Sequence, residues 1–262
     1  SLISTNIIII FNFYDKKNYL YEIIASKLLN KKIIYIECKD YNDKMNKFLF
    51  FYPDVVLFIK WNNLIDKYPN FYYTSDLKLL YPISEIEKNE NNIFVIASAR
   101  STEIDIHIQI IKYLLENSFR IIYIPRYQDK EEFDKIMPKF INNNLEYNLL
   151  ENVKDISNNN ADLMLFWKFG VLNKTFDYSN YAIIGDSFNN GNCQNIIEPI
   201  IKKNIVFTGP SITNIKECLN TFDKVFVSKD YNDLIKNIEI VTKNKKLKEN
   251  IINNNILNLK NH

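Results

Sequence analysis

The sequence predicts an α/β protein with parallel sheets, divided into two Rossmann-like lobes. Short apolar runs rich in Ile, Val and Tyr alternate with longer segments that have the periodicity of amphipathic helices. A polar stretch at 65–92, which contains Pro69, Pro82 and a charged run, interrupts this alternation, which then begins again. We therefore predict a small first lobe at 1–78 and a second lobe at 79–262.

In the first lobe the predicted order is strand, helix, strand, helix, strand. The runs at 6–11, 32–36 and 54–59 have the length and the β-branched content of buried strands. The segments at 19–29 and 43–51 have helical periodicity. Because parallel strands are joined by such helical crossovers, this order predicts a parallel sheet.

The second lobe repeats the pattern. It begins with a strand at 93–97, an amphipathic helix at 103–116 and a strand at 120–124 that Pro125 closes. Its later predicted elements are strands at 161–166, 181–184 and 203–207, and helices at 195–202, 212–219, 231–242 and 245–258.

Composition excludes several classes of function. The 262 residues fit one large or two small domains, and 47% hydrophobic content indicates a folded globular chain. With 33 basic and 31 acidic residues the formal charge is only +2, so we predict no nucleic-acid partner. The apolar run near the start is far shorter than the roughly twenty residues of a membrane-spanning helix.

Cysteine and histidine are too few for a metal centre. Cys38, Cys193 and Cys218 are far apart and have no C-x-x-C spacing, which argues against a disulfide framework or a zinc site and favours a reducing cytoplasm. His107 lies among isoleucines in a predicted helix and is interpreted as structural, and His262 is the last residue. We predict no metal and no cofactor.

Glycine marks the candidate site. The chain has four glycines, and all of them fall within one stretch of roughly forty residues: Gly170, Gly185, Gly191 and Gly209. Glycine permits close backbone approach and positive φ angles, so their clustering indicates a demand on backbone geometry. In open α/β sheets, ligands bind beyond the carboxyl ends of the strands, where this stretch lies.

A nucleotide fits this stretch. The predicted strand at 181–184 runs into Gly185 and Ser187, and a loop with Asn195 leads to a helix whose first turn holds Glu198. Loop amides and a helix dipole suit a phosphate, and a carboxylate suits a ribose diol. In the alternative interpretation the dipole merely stabilises Glu198 and Gly185 is an ordinary turn residue. Both interpretations stay open on this pattern alone.

Taken together, these motifs resemble a family. The runs I-I-G-D-S-F, Q-N-I-I-E-P and F-T-G-P-S-I-T-N-I-K-E resemble the C-terminal signature of the 3-deoxy-D-manno-octulosonic acid (Kdo) transferases, typically G-G-S-(x)n-G-G-H-N-x-L-E-P followed by G-P-h-x-x-N-F. Further segments follow in the family's order. I-A-S-A-R-S-T-E at 96–103 is similar to A-S-T-R-x-G-E-E, I-P-R-Y at 124–127 to V-P-R-H, and T-S-D-L-K at 74–78 to T-G-N-L-K. The segment 52–65 is similar to R-P-D-(x)n-E-L-W-P-N-L.

The resemblance implies a GT-B glycosyltransferase with two Rossmann-like lobes, in which 1–78 is a reduced acceptor-side lobe and 79–262 binds the CMP-sugar. Such an enzyme takes Kdo from CMP-Kdo and attaches it, with inversion and without a metal, to a lipid A precursor in lipopolysaccharide biosynthesis. The implied location is the cytoplasm, in peripheral contact with the cytoplasmic face of a Gram-negative inner membrane.

Site residues follow from the same resemblance. Gly185, Ser187, Asn195 and Glu198 would hold CMP, with Glu198 at the ribose and the helix start at the phosphate. Arg126 matches the arginine of P-R-H and would neutralise the departing phosphate, because a guanidinium binds phosphate in bidentate fashion. The alternative for Arg126 is a strand-end arginine in solvent.

Three further candidates approach from the interlobe side. They are Ser98, Arg100 and Lys78. Arg100 follows a predicted strand and would face the cleft, and its alternative role is a surface salt bridge.

The chain departs from the family pattern where a catalytic base is expected. The family's catalytic glutamate belongs to an N-terminal G-E-V motif that would precede residue 1, so we expect a missing N-terminal segment. Its E-T-E-L-W motif is L-F-I-K-W at 57–61. Its P-R-H histidine is Tyr127, its G-H-N histidine is Gln194, and its G-E-L glutamate is Val171. No catalytic residue is assigned.

Three alternatives explain these departures. The chain is part of a reduced, active transferase, a degenerate protein that binds nucleotide without transferring sugar, or a scaffold that binds no nucleotide. A GT-B enzyme that uses a UDP- or GDP-sugar is the enzymatic alternative.

Overall fold

The computed structural model describes the backbone of 7–12, 32–37, 55–58 and 71–73, the single residues Ile83 and Lys88, and residues 92–260 except 190 and 192. Contacts divide the chain into two compact units, Ser1–Leu80 and Tyr81–His262. The assignment of acceptor and donor roles to these units stays a prediction. Lys78 and the helices predicted at 19–29 and 43–51 lie outside the described residues.

The first unit contains a four-stranded parallel sheet. Its strands, in spatial as well as chain order, are β1 (Ile7–Asn12), β2 (Lys32–Glu37), β3 (Val55–Phe58) and β4 (Phe71–Tyr73). The predicted strands β1 to β3 are confirmed. The prediction of a polar connector from 65 to 92 was wrong at β4, because the aromatic triplet F-Y-Y has high strand propensity and adds an edge strand to β3.

The second unit is built on a seven-stranded parallel sheet. Its spatial order is β11-β10-β9-β5-β6-β8-β7. These strands are β5 (Ile93–Ala99), β6 (Arg120–Pro125), β7 (Asn148–Leu149), β8 (Leu163–Leu165), β9 (Tyr181–Ile184), β10 (Ile205–Thr208) and β11 (Phe226–Val227). The strands β6, β7 and β8 lie on one side of β5, and the chain then returns to add β9, β10 and β11 on the other side. The carboxyl end of β5 is therefore a topological switch point, where open α/β sheets bind ligands.

Helices connect and cover these strands. They are α1 (Ile104–Glu116), α2 (Lys130–Asn142), α3 (Leu172–Thr175), α4 (Ile197–Ile201), α5 (Lys216–Leu219), α6 (Tyr231–Thr242) and α7 (Lys245–Lys260). Short 3-10 turns precede α1 at Ser101–Glu103 and α5 at Thr213–Ile215, so the single helix predicted at 212–219 is a 3-10 turn followed by α5. Together the strands and helices confirm the predicted α/β fold.

The sequence prediction omitted α2. Its start is well marked, because Asp129 accepts a hydrogen bond from the Glu132 backbone N–H at 2.9 Å and caps the helix. Pro138 lies inside the helix and obscures its periodicity in the sequence.

The core of the second unit is continuous across the sheet. All seven residues of β5 are buried, as expected for a central parallel strand covered on both faces. The ring of Phe94 stacks on Tyr181 of the neighbouring β9 with centroids 4.5 Å apart, and Phe207 stacks on Phe226 at 5.1 Å. Such aromatic pairs fix the lateral position of the strands whose ends carry the site.

Two glycines of the cluster let backbone segments touch. A Cβ atom on Gly185 would lie 2.6 Å from the carbonyl oxygen of Ser98, and one on Gly209 would lie 2.3 Å from the carbonyl oxygen of Ser187. Real side chains do not tolerate such distances to backbone atoms. These two glycines thus permit close packing of the loops that follow β5, β9 and β10.

We predict that Gly185→Ala lowers the free energy of unfolding by about 3 kcal/mol, because the new methyl group forces β5 and β9 apart. The control is Gly170→Ala. Gly170 has a φ of +80°, but a methyl group added there would meet no atom within 4 Å, so only backbone strain of about 1 kcal/mol is expected. Urea denaturation measures both variants. An equal or larger loss in Gly170→Ala contradicts the packing role.

Candidate functional site

The candidate site lies at the carboxyl ends of β5, β6 and β9, on either side of the switch point. A cavity of about 730 Å³ opens beyond β5, β9 and β10, and its lining includes Arg100, Asp186, Phe188, Gly191 and Ser211. A larger cavity of about 950 Å³ lies against 151–157 and 168–178. The smaller cavity is the better candidate, since it lies at the switch point of the sheet, where open α/β sheets bind ligands.

A buried carboxylate organises the loop after β9. Glu103, at the end of the 3-10 turn before α1, has a completely buried side chain. Its Oε2 accepts the backbone N–H of Asp186 at 2.5 Å, and its Oε1 accepts those of Ser187 at 2.8 Å and Phe188 at 2.6 Å. Three consecutive amides are thereby fixed by one side chain. The sequence analysis missed this role, although Glu103 ends the family-like segment 96–103.

The environment of Glu103 is nearly closed to water. Burial raises the pKa of Glu103 and the charge of Asp186 acts in the same direction, while the three backbone N–H groups oppose the shift. Behind it, His107 Nε2 lies 3.7 Å from Glu103 Oε2, and His107 Nδ1 lies 3.3 Å from the Tyr123 hydroxyl. Burial lowers the pKa of His107 to about 3, so this histidine is neutral at pH 7 and structural, as predicted.

Ser187 and Gly185 shape the same loop. The Ser187 hydroxyl donates to the carbonyl oxygen of Ile184 at 2.6 Å and accepts the Gly209 N–H at 2.8 Å. The Gly185 N–H donates to the Ala97 carbonyl at 2.8 Å. The amides of both residues therefore already have internal acceptors. Their contacts with CMP stay predictions.

Two arginines are joined through a chain of polar side chains. Arg100 Nη1 lies 3.3 Å from Asp186 Oδ1 and 3.4 Å from Oδ2, and Gln194 Nε2 donates to Asp186 Oδ2 at 3.2 Å. The Arg126 guanidinium donates to Gln194 Oε1. The Tyr127 ring lies beside both, with its centroid 5.2 Å from the Arg100 Cζ and 5.8 Å from the Arg126 Cζ. Two guanidiniums thus flank one aromatic ring.

Ser98 contributes through its backbone. Its φ is +56°, and it forms the irregularity in the pairing of β5 with β6 between Ala97 and Ala99. This bulge places the Ser98 carbonyl against Gly185 and changes the direction of the chain just before Arg100. No side-chain role is assigned to Ser98.

Asn195 and Glu198 form a second hydrogen-bonded group, at the start of α4. Asn195 Nδ2 donates to Glu198 Oε1 at 2.7 Å, and Asn195 Oδ1 accepts the Ile197 N–H at 2.9 Å at the start of α4. Asn173, in α3, donates to Glu198 Oε2 at 3.3 Å. Glu198 is half-buried, so its carboxylate is oriented yet accessible. The role of Glu198 at the ribose stays a prediction.

The structure therefore brings most predicted site residues to one edge of the sheet. Arg100 and Arg126 are connected by Asp186 and Gln194, and Asn195 is the next residue along the chain. Three neighbouring side chains contact these arginines: Asp186 contacts Arg100, Gln194 contacts Arg126, and Tyr127 lies beside both. Within the described ranges no cluster of three metal-ligating side chains is found. None of the described helices is long and apolar enough to cross a membrane.

Comparisons with known proteins agree with the fold. No family model matches the chain. A bifunctional glycosyltransferase/methyltransferase of Fusobacterium nucleatum is 29% identical over 188 residues, which are 64% of this chain. The match spans only 28% of the length of that relative.

Solved structures give the class of fold. The C-terminal CMP-Kdo binding domain of WaaA from Acinetobacter baumannii is 20% identical, with a TM-score of 0.55 over 65% of this chain and 90% of that domain. HepE from Anabaena in complex with UDP is 11% identical, with a TM-score of 0.56 over 94% of this chain and 72% of its own.

A glycosyltransferase from Rickettsia africae is also 11% identical, with a TM-score of 0.55 over 96% of this chain and 72% of its own. The chain has the Rossmann-like α/β fold of the GT-B glycosyltransferases.

We predict that Glu103→Gln lowers the free energy of unfolding by about 2–3 kcal/mol. The glutamine amide keeps one acceptor oxygen but turns an N–H₂ group toward a backbone N–H that needs an acceptor. Chemical denaturation measures the change.

Glu132→Gln is the matched control. Glu132 accepts the Ser101 N–H at 2.5 Å and the Ser101 hydroxyl at 2.8 Å, and a glutamine satisfies both because the hydroxyl also accepts. We expect a loss below about 1 kcal/mol there. Equal losses in the two variants refute the special role of Glu103.

Proposed function

We propose that this chain supplies the donor-binding lobe of a GT-B glycosyltransferase that takes Kdo from CMP-Kdo. The observation that carries the proposal is the pair of guanidiniums, Arg100 and Arg126, which Asp186 and Gln194 join at the switch point of the sheet. The family-like motifs and the likeness of the fold to a CMP-Kdo binding domain support it.

Arg126 is the proposed phosphate ligand. It follows β6 directly, and its backbone N–H donates to the Ala99 carbonyl at 2.8 Å, which fixes the start of its side chain. Its guanidinium is already oriented by Gln194. A fixed cation stabilises the negative charge that develops on CMP as the bond to the sugar breaks.

Glu198 is the proposed ribose ligand. Asn195 and Asn173 each donate to one of its oxygens, and this holds the carboxylate at the edge of the site. A carboxylate oxygen has more than one lone pair, so each can still accept a ribose hydroxyl.

The acceptor side of the proposal rests on the resemblance alone. In the proposed reaction an acceptor hydroxyl attacks the anomeric carbon of Kdo, a base takes its proton, and CMP departs, so the configuration inverts. We propose a lipid A precursor as the acceptor, bound through the first unit at the cytoplasmic face of the inner membrane. The base is unassigned, and neither a metal nor a cofactor is required.

A second candidate function is nucleotide binding without transfer, or transfer from another nucleotide sugar. The observations that favour it are the absence of the family's acids at their aligned positions in the sequence and the equal likeness of the fold to the UDP complex of HepE.

We predict that the chain binds CMP at least about tenfold more tightly than UDP or GDP, and that Arg126→Ala weakens CMP binding by about tenfold or more, since a charge-assisted contact is lost. Binding of uncharged cytidine stays unchanged. Titration calorimetry measures all four ligands.

Arg120→Ala is the control for Arg126→Ala. Arg120 is at the opposite end of β6, where it donates to the Asn159 carbonyl at 2.5 Å. Two results contradict the proposed site. One is an equal CMP affinity of Arg126→Ala and Arg120→Ala, and the other is an equal affinity of the wild type for CMP, UDP and GDP. Binding of UDP in preference to CMP supports the second candidate.

We further predict that the wild type prefers CMP to 2′-deoxy-CMP by about fivefold, and that Glu198→Ala removes this preference, because the carboxylate accepts from the ribose 2′-hydroxyl. The same titration compares the two ligands. A preference that persists in Glu198→Ala assigns the ribose contact to another residue.

A further inference from the structure

We infer that Asp186 is a specificity-determining residue that occupies the anion position beside Arg100. It leaves Arg126 as the cation for a single phosphate, and the site therefore discriminates against nucleoside diphosphates. The inference rests on the proposed function only for the location of the nucleotide. The resemblance supplies no such role, since the family has glycine at this position of G-G-S.

The carboxylate of Asp186 is built into the loop. Asp186 has a φ of +59°, a left-handed conformation that aspartate tolerates better than most residues. A Cβ atom on Gly191 would lie 2.2 Å from Asp186 Oδ1, so the glycine at 191 provides the room for the side chain. Only 8% of the Asp186 side chain is exposed, against 34% for Arg100. The backbone beneath it is held by Glu103.

Both oxygens of Asp186 face hydrogen-bond donors of the site. Oδ1 and Oδ2 lie 3.3 and 3.4 Å from Arg100 Nη1, and Oδ2 also accepts from Gln194 at 3.2 Å. A phosphate oxygen beside Arg100 would make the same kinds of contact. Asp186 therefore occupies, with a fixed internal anion, the position that the second phosphate of a diphosphate would take.

The carboxylate of Asp186 lowers the positive charge that the site presents to a ligand. Without Asp186 the guanidiniums of both arginines would be available to ligand phosphates, whereas with it one of the two is paired with a carboxylate. A second ligand phosphate would lie close to a carboxylate that is shielded from water, and like charges at short range repel strongly there. Discrimination by an introduced repulsion is a common source of specificity.

Gln194 completes the arrangement. It joins Asp186 to Arg126, so the two guanidiniums are held apart in distinct environments. Arg100 is neutralised by an adjacent carboxylate, and Arg126 is oriented by a neutral amide. A ligand with one phosphate is therefore bound through the guanidinium of Arg126 alone.

The test compares CMP with CDP, which share the base, the ribose and the first phosphate. Titration calorimetry is performed on the wild type and on Asp186→Asn, which keeps the shape and suits the left-handed backbone but removes the charge. Asp186→Asn should tighten CDP binding by about tenfold and CMP binding by less than about threefold. The control is Asp105→Asn. Asp105 is exposed, and its Oδ1 lies 2.7 Å from Lys139 Nζ, so the substitution should change neither the CMP affinity nor the CDP affinity.

Unchanged or weaker CDP binding in Asp186→Asn overturns the inference, and so does an equal gain for CMP and CDP. Inorganic pyrophosphate separates this inference from the proposed function. If the wild type binds no nucleotide but Asp186→Asn gains pyrophosphate binding, the inference holds and the nucleotide function fails. If no variant binds pyrophosphate or nucleotide, both fail.

Discussion

The hydrogen bonds of the Glu103 carboxylate to three consecutive backbone amides are the interaction on which the site depends. A buried carboxylate is costly unless its oxygens are satisfied, and the loop after β9 satisfies them with the N–H groups of Asp186, Ser187 and Phe188. The hydrogen bonds stabilise the loop as well as the carboxylate, because the three amides would otherwise have no acceptor. Asp186 is thereby held where it reaches Arg100 and Gln194, and Gln194 in turn orients Arg126.

The same interaction decides which groups are left for a ligand. Backbone N–H groups in the loop after a strand commonly bind phosphate. Here the three N–H groups of the loop already donate to the carboxylate of Glu103. Side chains at the carboxyl ends of β5 and β6 remain, and one of the two guanidiniums there, that of Arg100, is paired with Asp186. In the proposed function the phosphate is therefore bound by Arg126, which Gln194 orients, and the ribose diol by the carboxylate of Glu198.

Local patterns predicted the fold well, and long-range contacts account for what they missed. Most strands of both sheets follow from apolar runs. The exceptions are β4, which lies in a stretch interrupted by proline and charge, and the two-residue strands β7 and β11, which are too short to show a pattern and were not predicted. Gly185, Gly191 and Gly209 lie in the loops after β9 and β10, at the carboxyl edge of the sheet, but Gly185 and Gly209 serve contacts between backbone segments, as Gly185 does against Ser98. Glu103 was missed because its partners lie more than eighty residues away along the chain.

The most direct measurement is a crystal structure of the chain with CMP bound. We expect the phosphate within hydrogen-bonding distance of the Arg126 guanidinium and the ribose hydroxyls at Glu198, while the amides of Asp186, Ser187 and Phe188 still donate to Glu103. A phosphate seated on those three amides with Glu103 displaced, or CMP bound away from the carboxyl ends of β5, β6 and β9, would contradict it.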